Sequence, residues 1–151
     1  MGPNKKDMDT AEEVELEIEY SESKVSPRIR ADVKTENFGV FILESDPPRF
    51  IGGRGSRPTP LQYIVFGIAA MYIMTLANTL ARNGMEVSKI LTRASCRVDF
   101  ARPRRRGNRL GVTLTVRITP EKPYDALHKI LDQAKNECPI FRGLDIQIST
   151  W

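Results

Sequence analysis

Cysteine, histidine and tryptophan are almost missing from this 151-residue chain, which holds two, one and one of them. Two cysteines as far apart as Cys96 and Cys138 exclude a disulfide-stapled scaffold and a multi-cysteine zinc site. The lone His128 has no ligand pattern around it, so neither metal catalysis nor any other cofactor is expected. A strong charge of one sign is missing too. The 23 Lys and Arg against 19 Asp and Glu leave +4, with a pI near 9.2, which permits acidic partners without demanding them. No apolar run follows Lys5-Lys6 as a secretory signal would require, and Lys6 stands where a myristoylation signal carries Ser or Thr. A cytoplasmic protein is the expectation. The length and the 40% hydrophobic content suit one ordinary domain with one core.

What the chain does have is a long uncharged run. From Thr59 onward no charged side chain occurs until Arg82, and both ends are punctuated: Thr59-Pro60 suits a helix start, and Asn83-Gly84 suits a left-handed stop. Leu61 through Leu76 offers no polar face to water, so the run predicts a helix buried on all sides. Its length approaches that of a bilayer span. Gln62, Thr75, Asn78 and Thr79 within it, the lack of an aromatic or basic belt, and amphipathic sequence close on both sides argue for a protein core and against a membrane.

Around this helix the pattern is that of strands. Residues 1–12 read as a disordered tail and 13–151 as one domain. Val14, Leu16, Ile18 and Tyr20 alternate with Glu13, Glu15, Glu17 and Glu19, a strand with one acidic face. Ile29 to Lys34 and Gly39 to Leu43 make a second and third strand joined at Glu36-Asn37-Phe38-Gly39. Glu86 to Phe100 predicts one long or bent strand, Pro103 to Asn108 a hairpin loop, and Leu110 to Ile118 its partner. After Pro123 a second, amphipathic helix carries Tyr124, Leu127, Ile130, Leu131 and Ala134 and breaks at Cys138-Pro139. Leu144 to Ser149 closes the chain as a strand. Three strands, helix, two strands, helix, strand is an α+β arrangement of two half-units.

Gly52-Gly53, then Arg57-Pro58-Thr59-Pro60-Leu61-Gln62, the apolar helix through Met74-Thr75-Leu76, Asn83-Gly84-Met85-Glu86-Val87, and later Glu137-Cys138-Pro139-Ile140 together resemble the OsmC/Ohr superfamily of peroxide-reducing proteins, from about Phe38 onward. The resemblance implies strands wrapped around a long central helix, and an intertwined homodimer with the two helices at its centre. It also implies two cysteines, the first in mid-helix eleven residues after the helix-starting proline. That count lands on Met71. The second is kept as Cys138. The family's glutamate after the proline, which supports an arginine near the thiolate, is replaced at Leu61 and Gln62 by uncharged residues. A thiolate opens the peroxide O–O bond and the resulting sulfenic acid condenses with a second thiol; a thioether can do neither.

The candidate site is therefore a vestigial pocket at Met71, Gly67, Gln62 and Met74, with Cys138 as candidate catalytic thiol. Gly67 leaves space one turn before the flexible, polarizable Met71, although core packing also accounts for Met71. Cys138 precedes Pro139, where the start of a following turn would favour a thiolate, although a small buried residue at a helix break reads the same way. Cys96, between Ser95 and Arg97, reads as strand packing. Arg30, Arg49, Arg54 and Arg57 are all possible pocket arginines. Arg102, Arg104, Arg105, Arg106 and Arg109 crowd one hairpin loop that could grip phosphates. It lacks the interleaved aromatics of a single-strand binder, so a solvated tip is preferred and nucleic acid is not the expected partner. Three readings remain open. The first is an OsmC-like homodimer without the two-cysteine cycle that binds a small apolar or oxidised ligand. The second is a one-cysteine hydroperoxide reductase using Cys138 and an external dithiol. The third is an interaction module built on the arginine loop.

Overall fold

The computed structural model describes residues 14–21, 28–85, 87–98, 111–119, 124–141 and 145–150. The chain is α+β, with strands β1 (Ile18–Ser21), β2 (Arg28–Thr35) and β3 (Gly39–Ser45), helix α1 (Pro60–Arg82), strands β4 (Lys89–Cys96) and β5 (Gly111–Thr119), helix α2 (Tyr124–Glu137) and strand β6 (Asp145–Thr150). This is the element order that the periodicity predicts. The expected tail and the tip of the β4–β5 hairpin lie outside the described residues. The chain divides into two compact units after Pro60, and each is taken by itself.

The first unit is an antiparallel sheet in the order β1-β2-β3. Its register sorts the side chains. Ile18 and Tyr20 share a face with Ile29, Ala31 and Val33 and with Phe41 and Leu43, whereas Glu19, Arg30, Asp32 and Lys34 take the other face. The alternation that begins at Val14 was expected to make a strand from there; pairing starts only at Ile18. Thr35 closes the β2–β3 hairpin, its hydroxyl donating to the Gly39 carbonyl and accepting from the Phe38 amide, both at 3.2 Å. Beyond β3 the chain runs through a short 3-10 turn, Arg49–Ile51. Buried Asp46 ties this loop down by accepting from the Ser56 hydroxyl and, at 3.3 Å, from the Ser56 amide. The Ser45 hydroxyl donates to the Pro58 carbonyl at 2.9 Å.

The second unit packs α1 and α2 on one face of the sheet β4-β5-β6, in which β5 runs antiparallel to β4 and parallel to β6. The face toward the helices carries Val112, Leu114, Val116 and Ile118 of β5 with Ile146 of β6, all buried. From α1 come Ile68, Ala69, Tyr72, Leu76 and Leu80, and from α2 Ile130, Leu131 and Ala134. β4 is shorter than the expected Glu86 to Phe100, because it is a strand only where β5 lies beside it. By length and composition α1 could cross a bilayer, but six of its positions are in this unit's buried set.

Within one chain α1 is covered on one side only. Phe66 is 72% exposed, Met74 58% and Ile64 48%. One sheet face and one neighbouring helix cover a single side of a cylinder, and the opposite side of this one is equally apolar. The helix ends as the Asn83-Gly84 pair predicts. Gly84 has φ +68°, its amide donates to the Ala81 carbonyl, and the Met85 amide donates to the Leu80 carbonyl, both at 3.0 Å. This is the paired closure of a Schellman end, with Met85 folding back onto the core.

Candidate functional site

Met71 lies mid-way along α1, half-buried and packed against the core cluster to which Cys138 belongs. Helical spacing places Gly67 and Met74 on the same stripe, one turn to either side. Gly67 faces open space, with no atom within 4 Å of where a Cβ would stand. The stripe is thus an apolar strip running from the core at Met71 out to the surface at Met74. Gln62 is exposed in the first turn of the helix. No thiol lies on α1.

Cys138 is a free thiol only 3% exposed, immediately after the last residue of α2. Its amide still donates to the Ala134 carbonyl at 3.0 Å and its carbonyl accepts from the Phe141 amide at 3.3 Å. It therefore closes one helix. Past Pro139 the described residues form a turn through Phe141. Tyr72, next to Met71 in sequence, completes the surroundings. It is fully buried, its hydroxyl donates to the Leu131 carbonyl at 3.3 Å, and its ring lies 5.5 Å from that of Phe141. Burial, and then the negative charge that Cys138 and Asp132 can carry, pushes the Tyr72 phenol above its ordinary pKa. Tyr72 therefore stays protonated as a donor.

Just above this region, Glu137 joins the ends of the two helices. Its carboxylate accepts from Gln133 at 3.0 Å, from the buried Thr79 hydroxyl at 3.2 Å and from Arg82. These bonds, Gln133 first, hold its pKa below the ordinary 4.5. Asn83 adds a bond to the Thr79 carbonyl at 2.8 Å. The sequence does not reveal this group, since Glu137 and Arg82 are 55 residues apart and meet only through the packing of the two helices. The arrangement fixes the start of the Cys138 turn.

Of the four candidate pocket arginines, Arg57 donates to Glu44 at 2.6 Å and to the Ser56 hydroxyl at 3.0 Å. The bond to Glu44 raises the guanidinium pKa further. Arg30 pairs with Asp32 at 3.2 Å, and Arg49 and Arg54 are exposed. Arg102, Arg104, Arg105, Arg106 and Arg109 lie outside the described residues. Cys96 is half-buried at the end of β4, on the face turned to the core. An open groove of about 510 Å³ runs along the C-terminal end of α1, lined by Ala77, Leu80, Ala81, Met85, Val87 and Ile90 among others. Among the described residues no three His, Cys, Asp or Glu side chains gather as a metal set.

A long apolar helix with a sulfur side chain at its middle and a buried cysteine at the break after the second helix define the candidate site. A family model described as OsmC-like protein matches residues 53–150. The chain belongs to the OsmC-like protein family. Among solved structures it is similar to an organic hydroperoxide resistance protein OsmC of Legionella pneumophila, at 18% identity and TM-score 0.66 over 91% of this chain and 96% of that one. It is similar to the organic hydroperoxide resistance protein OhrB of Bacillus subtilis, at 17% and 0.60 over 91% and 98%. A third structure, from Vibrio cholerae and described as a putative organic hydroperoxide resistance protein with captopril bound in one of its active sites, aligns at 16% and 0.66 over 94% of both chains. No curated protein sequence matches. At these identities the structures establish the fold.

Proposed function

We propose that this OsmC-like protein is a cytoplasmic homodimer that binds a small apolar or oxidised ligand beside Met71 and does not run a two-cysteine peroxidase cycle. The observation that carries the reading is the strip Gly67, Met71, Met74, which is apolar, open at Gly67 and free of thiol. In the two-thiol cycle one thiolate attacks the hydroperoxide, taking one oxygen as sulfenic acid and releasing the alcohol; the second thiol then displaces water to give the disulfide. A methionine at the first position has no S–H to lose. Cys138 alone, 3% exposed, has no thiol partner on α1 with which to condense. That the Vibrio cholerae relative admits captopril to an active site supports a pocket of small-ligand size. Two free cysteines suit a reducing compartment.

The dimer reading rests on what one chain leaves uncovered. Ile64, Phe66 and Met74 on α1 are exposed, as are Ile18, Tyr20 and Phe41 on the apolar face of the first sheet. Contiguous patches of this kind mark interfaces. Gly67 costs an exposed helix roughly 1 kcal/mol against alanine, and no atom of the described residues comes within 4 Å of where its Cβ would stand. Close approach of a second copy's helix supplies a reason for it.

The test is consumption of an organic hydroperoxide with excess dithiol by the wild type, Cys138→Ser and Met71→Cys. Wild type and Cys138→Ser are expected to be equally slow. Met71→Cys is expected to restore partial turnover, together with a peroxide-driven disulfide to Cys138 visible by mass spectrometry. Rapid turnover by the wild type that disappears in Cys138→Ser would replace this reading by the one-cysteine reductase.

A further inference from the structure

In the first sheet, β1 is shorter than its own alternation. Its pairing with β2 runs from Ser21 opposite Arg28 to Ile18 opposite Ala31 and ends there. Val14 to Glu17 continue the same pattern, and β2 continues to Thr35 beside β3. Among the described residues no strand lies along the other edge of β2 from Asp32 to Thr35. An open cleft of about 830 Å³ takes that place, lined by Val14, Glu15, Leu16 and Glu17 together with Asp32 and Lys34 among others. One more step in register would set Glu17 directly opposite Asp32, and like charges so placed destabilise a sheet. Both residues are exposed. The nearby cations do not cancel the pair, because partners directly opposite stand about 5 Å apart and diagonal ones roughly 7–8 Å. Arg30, diagonal to Glu17, already bonds Asp32 at 3.2 Å and stands opposite Glu19 on β1 and Glu44 on β3. Lys34, the other diagonal neighbour, would stand opposite Glu15. Across β3, Asp32 meets the apolar Ile42 and Lys34 meets Val40. Glu36, just past the end of β2, also lines the cleft.

We propose that Val14 to Glu17 form a strap able to close onto the free edge of β2, and that the repulsion between Glu17 and Asp32 holds it off. Beyond that one pair the register favours closure. Leu16 would meet Val33 on the apolar face that carries Ile18 and Ala31, Glu15 would meet Lys34, and Val14 would meet Thr35. Apolar, β-branched and opposite-charge pairs of this kind stabilise neighbouring strands. Closure lengthens the four-pair ladder by four pairs and adds Leu16 and Val14 to the face that holds Ile18 and Tyr20. It also covers an edge whose free amides and carbonyls are a template for pairing with another chain. The strap is therefore a switch read by charge: neutralising either carboxylate closes it, and restoring both opens it.

The experiment is hydrogen exchange followed by NMR on the full chain, which reads the protection of the backbone amides among residues 14–17 that face β2. In the wild type these are expected to exchange as an open segment does, faster than the paired amides of β1. Glu17→Lys puts opposite charges where like ones stood and is expected to raise their protection roughly tenfold. Glu17→Gln removes the repulsion without adding an attraction, and about threefold is expected. Glu15→Lys changes the net charge by as much as Glu17→Lys does but sets a lysine opposite Lys34, so no gain is expected. A response to net charge alone would move both lysine variants in the same direction. All three substitutions are at exposed positions and leave the Arg30–Asp32 bond in place. The inference is overturned if residues 14–17 of the wild type are already as protected as β1, if neither Glu17 variant gains protection, or if Glu15→Lys gains as much as Glu17→Lys.

Discussion

Glu137 shows what one side chain does when it bridges two helices. Its carboxylate gathers Gln133 from its own helix and Thr79 and Arg82 from α1, and its pKa is lower in the folded chain than when unfolded. A depressed carboxylate pKa adds stability that is complete above the unfolded value and is lost as pH falls through the folded one. Glu137→Gln should therefore melt below the wild type at pH 7. The gap should narrow steadily below about pH 4, where the wild type is protonated as well. Thermal melts at pH 7, 5 and 3 read the effect, and a gap that stays constant across them would show that the charge of Glu137 contributes nothing. Tyr72 does the complementary work without charge, filling the core with its ring and carrying its hydroxyl across to the Leu131 carbonyl.

At the scale of elements, α1 is held by its ends and by one side. The C-terminal closure depends on a left-handed residue, and Gly84 at φ +68° meets nothing where a Cβ would be. Gly84→Ala therefore adds conformational strain with no clash. A loss of about 1–2 kcal/mol is expected, read from the shift in urea midpoint at unchanged slope. The three-stranded sheets show opposite arrangements. The second buries one face under two helices and leaves mostly polar side chains on the other. The first presents Ile18, Tyr20, Phe41 and Leu43 on one face, with the first three more than half exposed.

For the whole molecule the question is what covers these surfaces. The proposed second copy would cover both α1 and the first sheet, and sedimentation velocity should then report a dimer whose melting temperature rises with protein concentration. In such a dimer Gly67→Leu should overpack a contact between the two α1 helices, at about 1–3 kcal/mol per substituted position, and shift the equilibrium toward monomer. In an isolated chain the same substitution meets only open space. A monomer at all concentrations, with Gly67→Leu as stable as the wild type, would rule the dimer out.

The order of elements, both ends of α1 and the core stripe of α2 were legible in the sequence, because period, caps and breakers are local and each acts within a turn or a strand. The alternation of Val112, Leu114, Val116 and Ile118 named its own buried face. The lack of a thiol at position 71 was equally plain, since a side chain's chemistry does not depend on its surroundings. Tertiary structure decided the rest. The sequence said that α1 has no polar side, but which part of that surface one chain covers depends on how many layers pack against it. Cys138 was found at a break, but its burial at the end of a helix comes from Tyr72, Phe141 and the α1–α2 contact. The pairs Arg57 with Glu44 and Arg82 with Glu137 join residues 13 and 55 positions apart. Such contacts form only when the backbone brings distant segments together, and no local pattern of residues records the distance across that fold.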